Sequence, residues 1–301
     1  MEIKALPHRG FTMEQLYDLL NVSRQNLAQG QRRANTRELI LCSVKQIVIE
    51  HRRRHRKEGS RGIYYTKKIK EVLGIGINTF ENMVKELGLS IKKTRSWIKT
   101  SDRCSKSKEY SNLINGLILT GPNQLIVGDL TYVLSPERYY IFALKDVYTS
   151  CLVGLAGSKN MTAEIAIEAL DQLFELRGPG PFPNLIHHTD GGSQYFARVY
   201  IIILDKNEIK ISVANTCLEN GYAEQLHDII KNYYLRFWDI GNESAFKRSL
   251  KEIKDIYNNE RGQACLGRRT PAAYEKYITS LDKDQRPQMK LYDFRNYKKG
   301  F

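Results

Sequence analysis

Residues 124–156 read QLIVGDLTYVLSPERYYIFALKDVYTSCLVGLA, and three apolar, β-branched or aromatic runs follow one another within them. The runs at 124–133, 139–145 and 151–156 predict three consecutive strands that form an antiparallel meander. Further along, helical and strand patterns alternate, and this order predicts a mixed sheet with helices on its faces, an α/β fold. The other predicted strands are 185–187 and 209–213, and the predicted helices are 163–177, 199–206, 222–237, 243–259 and 271–280.

The N-terminal third has helical patterns instead. Residues 11–33 predict two short helices around a turn at Asn21–Ser23, with Ser23 capping the second helix. This spacing suits a helix-turn-helix, although many helical hairpins share it. Residues 36–57 predict a longer helix. Residues 64–73 and 77–87 predict a second helical pair, with Asn78 as the cap of its second member.

Positive charge is concentrated at the N-terminal end. The chain of 301 residues has a formal net charge of +14, of which residues 1–110 supply +13, residues 111–280 supply −2 and residues 281–301 supply +3. Such a basic module is typical of contact with a phosphate backbone, and the alternatives are a solvated basic surface or an RNA-binding arm. The predicted DNA-contacting residues here are Arg24, Arg32, Arg33, Arg52, Arg53, Arg54, Arg56, Lys57, Lys67 and Lys68.

These patterns predict five segments. They are a helix-turn-helix-like region at 1–58, a second one at 59–100, a basic linker at 101–122, a mixed-sheet core at 123–280 and a basic tail at 281–301. The tail is predicted either to contact DNA or a neighbouring subunit, or to be a loosely ordered end. Five scattered cysteines, no signal-like N-terminus and no apolar run of about 18 residues predict a reduced, cytoplasmic protein with no membrane span.

Three acidic residues carry the predicted chemistry. Asp129 lies in a strand whose other residues on the same face are mostly apolar, Asp190 follows a short strand and precedes two glycines, and Glu224 lies in the first turn of a predicted helix. A carboxylate on an apolar strand is costly unless it is paired or bound to a metal. If the three converge, they form a Mg²⁺ site with room for substrate phosphates.

Neighbouring polar residues allow more than one interpretation. Asp228 and Lys231 share a helix face with Glu224, so Lys231 either reaches a phosphate near the metals or belongs to a surface ion ladder. His187 and His188 either position the site or are core histidines. Asp146, at another strand end, is predicted to cap the turn before Thr149 rather than to bind metal.

At these residues the chain resembles the DDE transposases of retroviral-integrase type, and more narrowly the second-reading-frame (OrfB) proteins of bacterial insertion sequences. The matching motifs are GDLTYV (128–133), HHTDGGSQY (187–195), ENGYAEQL (219–226), Lys231 seven positions after Glu224, LLNVSRQNLAQ (19–29) and the segment YNNERGQACLGRRTPAAYEKY (257–277). Departures from the family's pattern are Val127-Gly128 before the first aspartate, Glu219-Asn220-Gly221 before the glutamate, and Arg261-Gly262-Gln263.

The resemblance implies an RNase H-like core after an all-α DNA-binding region. It implies that Asp129, Asp190 and Glu224 hold two Mg²⁺ or Mn²⁺ ions, and that Lys231 lies close to DNA. It also implies cleavage at the ends of the element, followed by strand transfer from a 3′-hydroxyl. The implied partners are double-stranded DNA (terminal inverted repeats and target), further copies of the chain on paired ends and the first-frame product, at the bacterial nucleoid.

Two other functions fit the same residues. One is a domesticated DNA-binding regulator that has lost catalysis, and the other is a metal-dependent nuclease that cuts without joining. The three intact acids argue against the regulator. The basic helix-turn-helix patterns favour binding of specific duplex ends over simple degradation.

Overall fold

The computed structural model describes residues 12–91, 109–134, 137–215, 217–238 and 240–293. It divides the chain into a helical unit, Met1–Arg54 with Gly59–Ile91, and a sheet unit, His55–Glu58 with Lys92–Phe301. Residues 101–108 of the predicted linker at 101–122, and the end of the predicted tail from residue 294, lie outside the described residues. No helix within the described ranges is long and apolar enough to cross a membrane.

Residues 12–91 of the helical unit contain five helices, and four of them share one small core. Val44 and Val48 of α2 pack with Ile63 of α3 and Phe80 and Val84 of α5, and all five side chains are buried. The turn before α2 is the predicted one, because the Ser23 hydroxyl accepts a hydrogen bond from the Asn26 amide at 3.1 Å. The helices are α1 (Met13–Leu19), α2 (Arg24–Arg54), α3 (Ser60–Thr66), α4 (Ile69–Leu73) and α5 (Ile77–Glu86).

Three predictions for this unit are wrong. The separate helices ending at 33 and starting at 36 are one helix of 31 residues, because a lone exposed glycine, Gly30, costs only about 1 kcal/mol. The single predicted helix at 64–73 is two, with Lys68 left-handed at φ 48° between them. A continuous helix would turn Ile69 about 120° away from Ile63, and the break lets both reach the core. Asn78 is inside α5, whose cap is Gly76.

The sheet unit contains the predicted mixed sheet of five strands, in the order β4-β3-β2-β5-β6. The first three form the predicted antiparallel meander, while β5 and β6 run parallel to β2. Their bounds are β2 (Leu125–Leu134), β3 (Arg138–Asp146), β4 (Leu152–Ser158), β5 (Ile186–Thr189) and β6 (Lys210–Val213). A separate pair that the sequence analysis missed joins β1 (Ile118–Leu119) to β7 (Met289–Lys290).

Helices cover both faces of this sheet. One face packs against α6 and α7, and the other packs against α8 and α9. The predicted helix at 222–237 is regular only as far as Ile229, after which the chain widens into a π-helical turn, Ile230–Tyr234, and a short 3₁₀ turn. The helix bounds are α6 (Ala163–Arg177), α7 (Arg198–Lys206), α8 (Gly221–Ile229), α9 (Glu243–Asn259) and α10 (Pro271–Thr279).

Candidate catalytic site

Strand register brings two of the acids together. In the described part of the sheet, β5 pairs with β2 along Leu125–Val127, and the last pair joins Val127 to His188. Two residues further along each parallel strand, Asp129 comes opposite Asp190. Both side chains therefore lie at the point where the pairing of β2 with β5 has ended, next to an opening in the sheet.

Helix α8 supplies the third acid from above the sheet. It packs against β2 and β3, and Glu224 lies in its first turn, with its carboxylate partly exposed. A carboxylate in the first turn is stabilised by the positive end of the helix dipole. The helix thus presents Glu224 toward the strand that carries Asp129.

The charges of these carboxylates act on one another. Burial raises the pKa of Asp190 to about 6, and the nearby charge of Asp129 raises it as well. Burial also raises the pKa of Glu224, and Asp129 again contributes. Since a neighbouring negative charge disfavours ionisation, these shifts indicate that the three acids form one electrostatically coupled cluster.

The donor set fits divalent cations. Three carboxylates offer the hard oxygen ligands that Mg²⁺ and Mn²⁺ prefer. In the described parts of the chain, the ligand atoms of Asp129, Asp190 and Glu224 do not all lie within 4.8 Å of one another. The fit to a divalent cation therefore rests on the chemistry of the oxygen donors and not on a closed three-ligand set.

His227 is the member of the site that the sequence analysis missed. Its Nδ1 atom lies 3.1 Å from Oδ2 of Asp129, and its side chain is buried. Its Nε2 atom has no hydrogen-bond partner in the described residues. His227 is one helical turn after Glu224 and so shares its face, which is the signal that would have found it. The contact fixes the direction of the Asp129 carboxylate.

The two histidines before Asp190 belong to the core. Nε2 of His187 lies 2.8 Å from the Tyr200 hydroxyl, and Nδ1 of His188 lies 2.9 Å from the Ser212 hydroxyl. Burial lowers the pKa of His187 to about 3 and that of His188 to about 4, so both are neutral. Their hydrogen bonds connect β5 to α7 and β6 within the core.

A tight turn holds Asp190 in place. Gly191 has φ 83°, a conformation that favours glycine, and the Gly192 amide donates to Oδ1 of Asp190 at 3.1 Å. The two glycines of the HTDGG motif therefore shape the turn and orient the carboxylate.

Asp146 has the structural role that the sequence predicted. Its Oδ1 atom accepts hydrogen bonds from the Thr149 amide at 2.9 Å and the Thr149 hydroxyl at 3.1 Å, and its Oδ2 atom accepts from the Asn123 amide at 2.8 Å. The side chain is buried. Its oxygens are occupied by the protein's own donors.

Lys231 lies beside the acids, in the π-helical turn after α8. Burial lowers its pKa, while the charges of Asp129 and Asp228 act in the opposite direction. Asp228 itself accepts a hydrogen bond from the Asn232 amide group at 2.6 Å. The side chains of Glu224, Asp228 and Lys231 therefore do not form a simple exposed ladder, because Lys231 is half-buried and, in the described residues, has no carboxylate oxygen within 4.0 Å.

The predicted DNA-contacting residues of the basic region are mostly exposed. Arg52 is the exception in the helical unit, since it is half-buried and its guanidinium donates to the Leu89 carbonyl. In the sheet unit, Arg56 lies over the Phe237 ring, 5.1 Å from its centroid, and Lys57 is half-buried. The exposed members in the helical unit are Arg24, Arg32, Arg33, Arg53, Arg54, Lys67 and Lys68.

Two departures from the family pattern have a structural reason. A Cβ atom on Gly128 would come within 2.6 Å of the His187 ring, 3.0 Å of Leu144 and 3.2 Å of Phe142, so a larger residue before Asp129 does not fit here. Glu219, before the third acid, is buried and accepts hydrogen bonds from the Asn112 side chain at 2.6 Å and from the Asn215 amide. It anchors the loop that leads into α8.

Comparison with known proteins shows the family of the chain. Residues 120–216 match the model of the integrase core domain. A 31 kDa protein of the insertion element IS600 from Shigella sonnei is 33% identical over 238 residues, which cover 77% of this chain and 86% of the relative. The transposase of IS904 from Lactococcus lactis is 27% identical over 252 residues, 80% of this chain and 95% of that protein.

A solved structure, the HTLV-2 integrase catalytic core domain in complex with magnesium, aligns with 52% of this chain and 97% of its own, at 18% identity and a TM-score of 0.42. The matched core domain spans both aspartates. The similarity to the insertion-element proteins extends over most of the length of each. The chain therefore belongs to the transposases of bacterial insertion sequences, DDE polynucleotidyl transferases built around an integrase core domain.

Proposed function

We propose that this transposase cuts DNA at the ends of its insertion sequence and joins the freed 3′-hydroxyl to target DNA, with Asp129, Asp190 and Glu224 as the catalytic carboxylates. The observation that carries the proposal is their arrangement: strand register sets Asp129 opposite Asp190, and Glu224 is on the helix that packs against β2. Burial, and after it the charge of Asp129, raises the pKa of both Asp190 and Glu224. Electrostatically coupled carboxylates with shifted pKa values are typical of catalytic sites.

An integrase-type core depends on a divalent metal ion, and the three acids are proposed to hold two, Mg²⁺ or Mn²⁺. Bound ions supply charge neutralisation for the phosphate oxygens and a more acidic attacking hydroxyl. Asp190 is held by its own turn, and Asp129 by His227. His227 is proposed as a positioning residue, because its imidazole contacts a ligand rather than the DNA. Lys231 is proposed to contact a DNA phosphate beside these acids.

The helical unit is proposed to bind the terminal repeats. Its turn before α2 has helix-turn-helix spacing, and its exposed arginines and lysines carry the positive charge. The predicted segment boundaries at 58, 100, 122 and 280 are kept as part of this proposal. The reaction is proposed to take place on paired ends at the bacterial nucleoid. It is proposed to involve further copies of the chain and the first-frame product.

The first experiment compares wild type and Glu224→Gln on duplex DNA that carries the ends of the flanking element, in Mg²⁺. We expect cleavage and strand transfer to disappear in Glu224→Gln while binding to the ends is retained, because one metal ligand is lost and the basic unit is unchanged. Asp228→Asn is the matched control, since it removes an exposed carboxylate from the next turn of the same helix. It should keep both activities.

Different outcomes separate the competing functions. Equal activity of Glu224→Gln and wild type would contradict the assignment of the third acid. Cleavage by wild type without joining of a pre-cut 3′ end would identify a nuclease. An inactive wild type that binds the ends specifically, also when supplied with the first-frame product, would identify a regulator.

A second experiment tests the role of the helical unit. Arg32→Gln with Arg33→Gln should weaken binding to duplex ends and make its dependence on salt shallower. The slope of log K against log salt falls by about 0.9 for each lost phosphate contact. The matched control is Lys247→Gln with Arg248→Gln, two exposed adjacent cations on α9 of the sheet unit. A slope that falls equally in both pairs would contradict the assignment.

A further inference from the structure

A short segment, residues 111–114, lies along β6, the last strand in the order β4-β3-β2-β5-β6 of the described sheet. The Ser111 carbonyl accepts a hydrogen bond from the Val213 amide at 3.3 Å. The Leu113 amide donates to the Ser212 hydroxyl at 2.9 Å. The segment therefore covers the edge of the strand that leads directly into the loop before α8.

Asn112 joins this segment to that loop. Its Oδ1 atom accepts a hydrogen bond from the Ile114 amide at 2.9 Å, and this local turn fixes the direction of the side chain. Its Nδ2 atom donates to Oε2 of the buried Glu219 at 2.6 Å. The same Oε2 atom accepts from the Asn215 amide, near the start of the loop. One carboxylate oxygen therefore closes the loop on itself and ties it to residues 111–114, and we call this contact the loop clamp.

The loop clamp lies where the start of α8 lacks a capping side chain. Asn220 directly precedes Gly221, the first residue of α8, and its side chain makes no capping hydrogen bond. Asn220 is 2% exposed, and within the described part of the chain its Oδ1 atom has no hydrogen-bond partner. A capping side chain usually sets where a helix begins. Here the neighbouring Glu219 holds that end instead, and Glu224 follows in the first turn.

The same segment is connected to the strand that leads to the second acid. The Ser212 hydroxyl, which accepts from the Leu113 amide, also lies 2.9 Å from Nδ1 of His188. A hydroxyl both accepts and donates, so its hydrogen is available to this nitrogen. His188 is fully buried in β5, two residues before Asp190. The segment therefore contacts β5 through Ser212 and the loop before α8 through Asn112.

We propose that Asn112 and Glu219 are positioning residues that hold Glu224 in a fixed place relative to Asp190. A buried carboxylate keeps its place because moving it would leave its charge without hydrogen-bond donors. A displacement of about 1 Å in a reacting group can lower the rate about a hundredfold. The inference rests on the proposed role of Glu224 as a catalytic carboxylate, and it names the residues that set its geometry.

The competing explanation is that the loop clamp only stabilises the fold. Loss of the clamp would then lower the free energy of unfolding, while the protein that stays folded would bind metal and cut DNA like wild type. Under the proposal, the site of the folded protein is itself altered. Metal affinity and cleavage rate, both measured well below the unfolding temperature of each variant, therefore separate the two explanations.

The test measures Mn²⁺ binding to the full-length protein by electron paramagnetic resonance, without DNA. Glu219→Leu removes the acceptor oxygen, and Asn112→Asp places a second carboxylate against it. We expect each change to weaken Mn²⁺ binding roughly 10- to 100-fold, as for other groups that orient metal ligands. Glu219→Gln keeps one oxygen for both donors and should retain most of the affinity. The rate of single-turnover cleavage in Mg²⁺ should follow the same order, with binding to duplex ends unchanged.

A double variant checks that the two residues act through one contact. Asn112→Ala and Glu219→Leu should each weaken Mn²⁺ binding, and the two together should weaken it by no more than the stronger single change. Residues that share a contact have effects that do not add in free energy. Fold-changes that multiply in the double variant would show two independent roles and would overturn the loop clamp.

Asn258→Ala is the matched control. Asn258 also uses both side-chain atoms at a sheet edge, because its Oδ1 accepts from the Leu152 amide and its Nδ2 donates to the Leu152 carbonyl, each at 2.9 Å. Leu152 is on β4, at the opposite edge of the described sheet. The control should lower stability without changing Mn²⁺ affinity or cleavage.

Two further outcomes separate this inference from the proposed function. Wild-type Mn²⁺ affinity and cleavage rate in both Glu219→Leu and Asn112→Asp would overturn the inference and leave the proposed cleavage intact. A wild-type protein that neither bound Mn²⁺ nor cut DNA would overturn the proposed function, and the inference with it.

Discussion

The sheet unit holds carboxylates at two places, Asp146 and the acidic site, and their negative charge is stabilised in different ways. Asp146, at the end of β3, is buried, and its two oxygens accept three hydrogen bonds from Thr149 and Asn123. In the acidic site, Asp129, Asp190 and Glu224 lie among one another's charges. The protein's own donors satisfy the carboxylate of Asp146. In the acidic site, the protein supplies less positive charge than the three carboxylates carry negative charge.

The difference separates a structural acid from the acids that we propose as catalytic. Backbone amides and a hydroxyl stabilise the negative charge of Asp146 without any ligand. The acidic cluster has one imidazole and one half-buried lysine nearby, against three carboxylates. A group of acids that remains unsatisfied after folding is a place where cations and phosphates are expected to bind. Each prediction below tests this distinction, in order of decreasing effect.

The largest expected effect concerns catalysis. Asp129→Asn should lower cleavage and strand transfer at least about a thousandfold, because loss of a metal ligand removes several kcal/mol of transition-state stabilisation. Asp146→Asn, measured at a temperature where it stays folded, should keep activity within about tenfold. Gel assays on labelled duplex ends give both values. Comparable losses in the two variants would remove the distinction between the regions.

The second effect concerns metal ions and stability. Mg²⁺ or Mn²⁺ at about one hundred times its dissociation constant should raise the free energy of unfolding by about 2.7 kcal/mol, because the ions bind only the folded site. Addition of EDTA should reverse the gain. Thermal or urea unfolding of the metal-free and metal-bound protein measures it. Asp129→Asn should lose most of this gain, and Asp146→Asn should retain it.

The third effect is on the fold itself. Asp146→Asn should lower the free energy of unfolding by about 1.5–3 kcal/mol, because an amide group cannot accept all three hydrogen bonds that the carboxylate accepts. Asp129→Asn should change the metal-free stability by less than about 1 kcal/mol, since it also relieves repulsion of the other acids. Urea unfolding in EDTA compares them, and a greater loss in Asp129→Asn would contradict our assignment.

The smallest effect concerns His227. His227→Phe should weaken binding of Mn²⁺ roughly 10- to 100-fold, as expected for a group that orients a metal ligand. Titration with Mn²⁺, followed by its electron paramagnetic resonance signal, measures this without any DNA. His227→Asn retains a donor near Asp129 and should recover part of the affinity. Equal affinities in wild type and His227→Phe would show that the contact has no role in the site.

The sequence predicted elements well where local patterning and burial agree. The helix at 163–177 has the predicted bounds, because its apolar face and the glycine after it mark both the packing and the end. The prediction failed where tertiary contacts decide. Nothing local separates α3 from α4, and the break at Lys68 exists because Ile63 and Ile69 share one core. Regular helical spacing placed Lys231 on the face of Glu224, but it did not reveal the π-helical turn after Ile229 that carries this lysine.

By itself, the sequence determined the fold class, the three acids and the separation of a basic helical region from a near-neutral core, because residue type and periodicity are local properties. Only the tertiary structure decided which residues meet. The register of β2 with β5 sets Asp129 against Asp190, and the placement of α8 brings His227 to Asp129. It also brings Arg138 and Lys231, from two different elements, to the ring of Tyr132. Such contacts join residues far apart in the chain, and their geometry depends on packing that no single segment contains.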